Sequence, residues 1–161
     1  MTVRVGQGFD VHAFTDDPAR VLVLGGVTFD GERGLVGHSD ADAVAHACAD
    51  ALLGAAGLGD IGQHFPDTDE RYRDADSMLL LRTVVATLAE RGLAVTHVDA
   101  TVVMERPKLA PYRDAIRAAL ADGLGVAPHH VNVKASTGEG MGFVGRGEGV
   151  AALAVATLRG G

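Results

Sequence analysis

His38-Ser39-Asp40-Ala41-Asp42-Ala43-Val44-Ala45-His46 packs two imidazoles, two carboxylates and a hydroxyl into nine residues. Ser39 is a good helix N-cap, Asp42 three residues on is a weak capping-box partner, and the Ala/Leu-rich run to Leu53 continues as helix. The polar cluster therefore sits on a helix start. Asp42 and His46 are four apart and share a face, while Asp40 points elsewhere and complements the positive end of the helix dipole or does chemistry. His46 lies amid small apolar residues, where an imidazole needs a partner.

The first partner lies upstream. Val3 to His12 alternates in hydropathy, which predicts a strand ending in Gly8-Phe9-Asp10-Val11-His12. Asp10 and His12 are two apart, so a strand places both on one face, where a carboxylate and an imidazole can close on one divalent ion. An Asp-x-His pair alone is weak. Joined to His46, it supplies three ligands of the kind zinc takes and leaves a position open for substrate, as catalytic zinc sites do.

Outward from this core, Val21 to Phe29 is β-rich and broken by Gly25-Gly26, which predicts a hairpin or bulged strand, and 31–37 is a loop delivering His38. The stretch 57–69, holding Asp60, Gly62, Phe65, Asp67 and Asp69, is too rich in Gly and Asp for regular structure and predicts a packed loop. Helical periodicity covers 76–91, with Asp76 or Ser77 as cap and Gly92 as stop. A strand covers 95–104, a third helix 112–120 is left through the glycines at 123 and 125, and a strand covers 131–135. The loop Ser136-Thr137-Gly138-Glu139-Gly140-Met141-Gly142-Phe143 combines hydroxyls, amides and one carboxylate suited to phosphate and magnesium, and a last strand runs from Val150 to about Leu158. The expected architecture is α+β: one domain over 1–161, a two-layer sandwich of a mixed β-sheet with three helices on one face, the early strands pairing as a hairpin. Apolar residues on both alternations, as in Val102/Val103 and Ala151 to Ala154, predict that the other sheet face is buried in a closed homo-oligomer.

Composition narrows the function. A net charge of −7 argues against nucleic acid, and any phosphate substrate would be held by metal ions, backbone amides or a few local cations. Cys48 is single and has no internal disulfide partner, and it reads as a buried thiol. With no long apolar run and no signal-like start, the expectation is a cytoplasmic protein without a membrane partner.

Gly8 to His12, Gly37-His38-Ser39-Asp40-Ala41-Asp42 with His46, Gly59-Asp60-Ile61-Gly62 with Phe65-Pro66-Asp67-Thr68-Asp69, Pro107-Lys108, and Gly142-Phe143 with 145–149 occur nearly end to end in an order that resembles the 2-C-methyl-D-erythritol 2,4-cyclodiphosphate synthase family of the non-mevalonate isoprenoid pathway. The resemblance implies a homotrimer with active sites between subunits. It implies intramolecular attack of a 2-phosphate on the β-phosphate of a cytidine-diphosphate ester, yielding a cyclic diphosphate and CMP. It further implies one zinc per subunit on Asp10, His12 and His46, and magnesium, or manganese in its place, on Glu139 with the substrate. His38, Thr137 and Glu139 would be catalytic. Ser39, Asp60, Gly62, Phe65, Asp67, Asp69, Lys108, Ala135, Ser136, Phe143 and Arg146 would meet substrate or ligand, and Asp42 would steady a metal ligand from behind. The chain departs from the family in having Ser136-Thr137 where a Thr pair is common, and glycines on both sides of Glu139.

Two readings stand for Phe9, Phe143, Arg146 and Glu148. They pack the trimer, with Arg146 and Glu148 a charge pair. Or they line a central cavity that admits an isoprenyl chain while three guanidiniums hold its diphosphate. Two other function classes stay in view: a metal-dependent phosphodiesterase or phosphatase, and a non-catalytic nucleotide- or metal-binding module.

Overall fold

In the computed structural model, which describes residues 1–160, strand β1 (Thr2–Ala13) and helix α1 (Ala43–Ala56) form the central contact. A Cβ on Gly6 would lie 2.1 Å from the Ala51 carbonyl oxygen, and one on Gly8 would lie 1.8 Å from that of Ala47. Glycine is therefore required on this face of the strand, because helix backbone occupies the space of a side chain. Ala47, Ala51 and Ala55 are the residues whose backbone meets these glycines, and all three are buried.

The helix is set at both ends. Asp42, not Ser39, is its N-cap, its carboxylate accepting from Val44 N–H at 3.1 Å and Ala45 N–H at 3.0 Å. Gly57, at φ 72°, closes the other end with its N–H on the Gly54 carbonyl, and Leu58 N–H returns to Leu53. The same Asp42 carboxylate accepts from Gly25 and Gly26 N–H, each at 2.7 Å. These glycines form the turn between β2 (Val21–Leu24) and β3 (Val27–Arg33), both at positive φ as a tight hairpin turn demands. One buried carboxylate thus fastens the hairpin to the helix start. Burial pushes its carboxyl up to about 6, against the opposing pull of the amides of Ala45, Gly26 and Gly25.

After α2 (Ile61–His64) come α3 (Ser77–Glu90), capped by Asp76, β4 (Leu93–Val103), α4 (Arg113–Leu124), β5 (Val131–Ser136), α5 (Gly142–Gly145) and β6 (Gly149–Gly160). The main sheet has the order β1-β6-β4-β5, with β4 and β5 parallel and the other pairs antiparallel. It is a mixed sheet, as expected. The hairpin β2-β3 is a separate two-stranded sheet, so β1 pairs with the last strand rather than with its neighbours in sequence. The α4 helix runs four residues past its expected end, because Gly123 is used inside it as the seat of the Met78 methyl group and Gly125 is the true C-cap. The one-turn helices α2 and α5 lie within stretches read as loops; both are too short to carry a periodic signal.

The long helices cover one sheet face, where Val98, Ala100, Val102, Val131, Val133, Ala152, Ala154 and Ala156 are buried. On the other face Val3, Val5, Phe9, Val11 and Val155 are exposed, Phe9 by 53%. Contiguous apolar exposure of this kind marks an interaction surface. Among the described residues, no helix is long and apolar enough to cross a membrane.

Gly8→Ala is expected to lower stability by about 3 kcal/mol, at the upper end of overpacking costs, because backbone rather than a movable side chain blocks the methyl. Urea unfolding checks this. A loss below about 1 kcal/mol would mean that the helix slides freely over the strand.

Candidate metal centre and facing loops

Because α1 rests on the glycines of β1, the next two residues on the same strand face, Asp10 and His12, come up beside the first turn of the helix. His12 Nε2 is 2.8 Å and His46 Nδ1 is 3.0 Å from Asp10 Oδ2, and the two nitrogens are 3.4 Å apart. All three ligand atoms lie within 4.8 Å of one another, a group able to hold a metal ion. Both rings are oriented from outside. His12 donates from Nδ1 to the Val36 carbonyl at 2.7 Å, and His46 Nε2 lies 2.8 Å from Ser77 Oγ and 3.2 Å from Ser39 Oγ. Each therefore turns its other nitrogen towards Asp10. Gly37 leaves room for this: a Cβ there would lie 3.2 Å from His12 Cε1 and 2.8 Å from Ala41 Cβ. Ala41 sits at φ 59°, unusual for a non-glycine, where the loop turns into the helix.

The triad shifts its own protonation. Burial, the largest influence, opposes ionisation of Asp10, but the hydrogen bonds and charges of His12 and His46 together outweigh it and hold the carboxyl down to about 2. For His12, burial lowers the pKa, while the hydrogen bond and charge of Asp10 and the Val36 carbonyl raise it further, for a net rise. Elsewhere in α1, Cys48 is fully buried and its thiol is pushed up to about 12, mainly by burial, which makes it inert as a nucleophile.

A cavity of about 400 Å³ opens beside the triad, lined by His12, His46, His38, Ser39, Gly62, Phe65, Asp67 and, unforeseen from the sequence, Tyr72 and Leu80. His38 Nε2 donates to the Asp69 carbonyl at 3.0 Å, tying the helix approach to the segment 66–76. Asp60 and Asp69 are otherwise engaged. Asp60 caps α2 through Gln63 N–H at 2.9 Å, and Asp69 holds Arg71 and caps a short turn. Asp42 does not steady a metal ligand, contrary to the sequence reading: its oxygens are taken by four backbone N–H groups. The carboxylate behind the site is Asp40, which binds Ser77. Ser77 reads in sequence only as a candidate helix cap, and nothing in its spacing ties it to His46.

A second cavity, of about 310 Å³, is lined by Met104, Lys108, Ala135, Ser136, Thr137 and Glu139, and shares no residue with the first. Glu139 sits at φ 53° at the exposed loop tip, its N–H on Thr137 Oγ1 at 3.2 Å, and Glu105 accepts from Gly138 N–H beneath. Phe143 and Arg146 line neither cavity; Arg146 Nε lies 3.1 Å from Glu148 Oε1.

Residues 3–159 match the YgbB family. The chain is 55% identical over 159 residues to the 2-C-methyl-D-erythritol 2,4-cyclodiphosphate synthase of Laribacter hongkongensis, covering 99% of this chain and 97% of that one. It is 59% identical over 156 residues to the bifunctional enzyme IspD/IspF of Anaeromyxobacter dehalogenans, covering 97% of this chain and 40% of that one. The solved structure of bifunctional IspDF from Campylobacter jejuni superposes with a TM-score of 0.94 at 41% identity, over 99% of this chain and 43% of that one. That of Plasmodium falciparum IspF in a CDP complex gives 0.86 at 29% identity, over 98% and 96%. The chain thus spans 40% of the bifunctional relative and nearly all of the single-function one.

In metal-free protein, the depressed Asp10 adds stability that is present above its ordinary value near pH 4 and lost as pH falls towards about 2. The raised His12 adds stability that is full below its ordinary 6.5 and lost as pH rises through its higher folded value. Denaturation across pH is expected to show a contribution of about 2 kcal/mol, greatest between about pH 4 and 6.5 and removed by Asp10→Asn. Parallel pH curves for variant and wild type would refute it.

Proposed function

This chain belongs to the YgbB family, and on that premise we propose that it is a 2-C-methyl-D-erythritol 2,4-cyclodiphosphate synthase, like its full-length relatives. The substrate is 4-diphosphocytidyl-2-C-methyl-D-erythritol 2-phosphate. An oxygen of its 2-phosphate forms a new bond to the β-phosphorus as the bond from that phosphorus to CMP breaks, so no covalent enzyme intermediate is needed. The protein has to fold the substrate, align attack with departure and neutralise phosphate charge. The observation that carries this reading is the clustering of Asp10, His12 and His46, with both imidazoles lining a cavity that His38 and Ser39 also line.

The donor set fits zinc. One carboxylate and two imidazoles are ligand types that zinc takes, and their ligand atoms already lie 2.8, 3.0 and 3.4 Å apart, close enough to share one ion. Asp10, His12 and His46 would hold it, and when bound it would polarise the β-phosphate as a Lewis acid. Glu139, a lone exposed carboxylate, suits magnesium or manganese, ions that take one or two protein carboxylates and complete their shell with substrate phosphate. Thr137 would donate its hydroxyl to the same phosphates, and Lys108 would offset the charge of the departing CMP, with Ala135 and Ser136 beside the cytidine. His38 and Ser39 would orient the methylerythritol phosphate, and Asp60, Gly62, Phe65, Asp67 and Asp69 would form the wall around its diol.

The two cavities stand at the same end of the sheet but on opposite edges, β1 against β5, three strand spacings or about 14 Å apart. We infer that a working site joins the β1 edge of one subunit to the β5 edge of a neighbour in a homotrimer. The exposed apolar face of Val3, Val5, Phe9, Val11 and Val155 supports such an assembly. Arg146 is paired with Glu148 on the exposed surface, and an isoprenyl diphosphate held by Arg146 would share its guanidinium with that carboxylate.

Incubation with the substrate, zinc and magnesium, followed by phosphorus NMR, is expected to show a cyclic diphosphate and CMP; release of free phosphate would point instead to a phosphatase. His46→Ala and Glu139→Gln are each expected to lose at least about 100-fold in turnover, the first with its zinc and the second with zinc retained. Mixing His46→Ala with Lys108→Ala subunits during assembly is expected to restore about a quarter of the sites, by random assortment around a closed ring. No recovery on mixing would place both halves in one subunit.

A further inference from the structure

Ser77 opens α3 with a hydroxyl that its own helix does not need, since Asp76 already caps it by accepting from Met78 N–H at 2.9 Å. The residue is buried and its oxygen touches two different elements. On one side it donates to Asp40 Oδ1 in a short hydrogen bond, while Ser77 N–H donates to Oδ2 at 3.1 Å. On the other side it lies 2.8 Å from His46 Nε2. Asp40 has only acceptor oxygens, so the hydroxyl proton belongs to the carboxylate side. The serine oxygen then has only lone pairs left for His46, and Nε2 must carry the proton that joins them. Ser39 Oγ, at 3.2 Å from the same nitrogen, is the longer contact and already accepts from Ala41 N–H.

We propose that Asp40, Ser77 and His46 form an outer relay, in which Ser77 is a positioning residue that holds the Nε2–H of His46, so that Nδ1, which donates to Asp10 Oδ2 at 3.0 Å, is the nitrogen that binds a metal in place of its proton. The proposal rests on the metal reading above and assigns its affinity to a residue outside the ligand triad. His12 is held in the opposite tautomer by the Val36 carbonyl, so the two imidazoles enter the site through different nitrogens. The carboxylate behind the serine polarises the chain of hydrogen bonds towards the metal and strengthens Nδ1 as a ligand. Without the serine oxygen, His46 can exchange tautomers or turn its ring towards Ser39, and the third ligand is lost part of the time.

Zinc affinity of the metal-free protein, measured by competition with a chromophoric chelator, tests the relay. Ser77→Ala is expected to bind zinc about 10- to 100-fold more weakly, as loss of a partner behind a metal-ligating histidine does. Ser77→Thr, which keeps the hydroxyl, is expected to stay within about threefold of wild type. Nitrogen-15 imidazole spectra of the zinc-loaded wild type are expected to show His46 with its proton on Nε2 and the metal on Nδ1, a reading that needs no variant and that a packing role for Ser77 would not require. Zinc on Nε2 of His46 in wild type, or unchanged zinc affinity in Ser77→Ala, overturns the relay and leaves the metal centre standing. A wild-type protein that takes up no zinc overturns both.

Discussion

The rest of the structure depends on a backbone-to-backbone contact, where Gly6 and Gly8 of β1 lie under the carbonyl oxygens of Ala51 and Ala47 in α1. Ordinary helix-on-sheet packing interposes two layers of side chains; here there is almost none on the strand side. The helix is drawn in until His46, on its first turn, comes within hydrogen-bond reach of Asp10, two residues past Gly8 on the same strand face. The metal-ligand distances are thus a by-product of how near the helix can sit. Ala47, Ala51 and Ala55 form the face of α1 at this contact, and larger residues there would lift the helix and open the triad.

Around that contact, the acidic residues of one short loop are divided between fold and site. Asp42 faces inward and is consumed by four backbone amides, joining the helix start to the β2-β3 turn. Asp40 faces the other way and reaches the start of α3, where Ser77 links it to His46. Buried polar groups of this kind hold a unique geometry only when all their hydrogen bonds are made, and no buried side-chain nitrogen or oxygen among the described residues lacks a partner. The hydrogen bonds of Val36, Ser39 and Ser77 thus orient both imidazoles of the triad.

The sheet order separates the chemistry into halves. With β6 and β4 between β1 and β5, the imidazole-rich cavity and the loop of Thr137 and Glu139 stand on opposite edges. A single chain therefore presents two incomplete surfaces at one end of the sheet, and an apolar face beside them. Both features have the same remedy, contact with further copies of the chain, which would cover the apolar face and bring unlike edges together.

Much of this was legible in the sequence. The 2-residue period before Asp10 and His12, the alanine run after His46 and the glycine punctuation determined the mixed α+β elements, the metal triad and the loop carrying Glu139, because periodicity and ligand chemistry are local properties. Pairing was not legible: β1 joins the final strand some 150 positions away rather than the hairpin that follows it, since strand partners are chosen by which faces can be buried together. Nor were the separate duties of Asp40 and Asp42. Spacing puts Asp42 on the His46 face, but the tertiary structure brings Gly25 and Gly26 to its carboxylate and Ser77 to Asp40, and a carboxylate goes where unsatisfied donors are. Ser77 entered the site for the same reason. A lone serine at a helix start carries no signal until folding sets a histidine 2.8 Å from it.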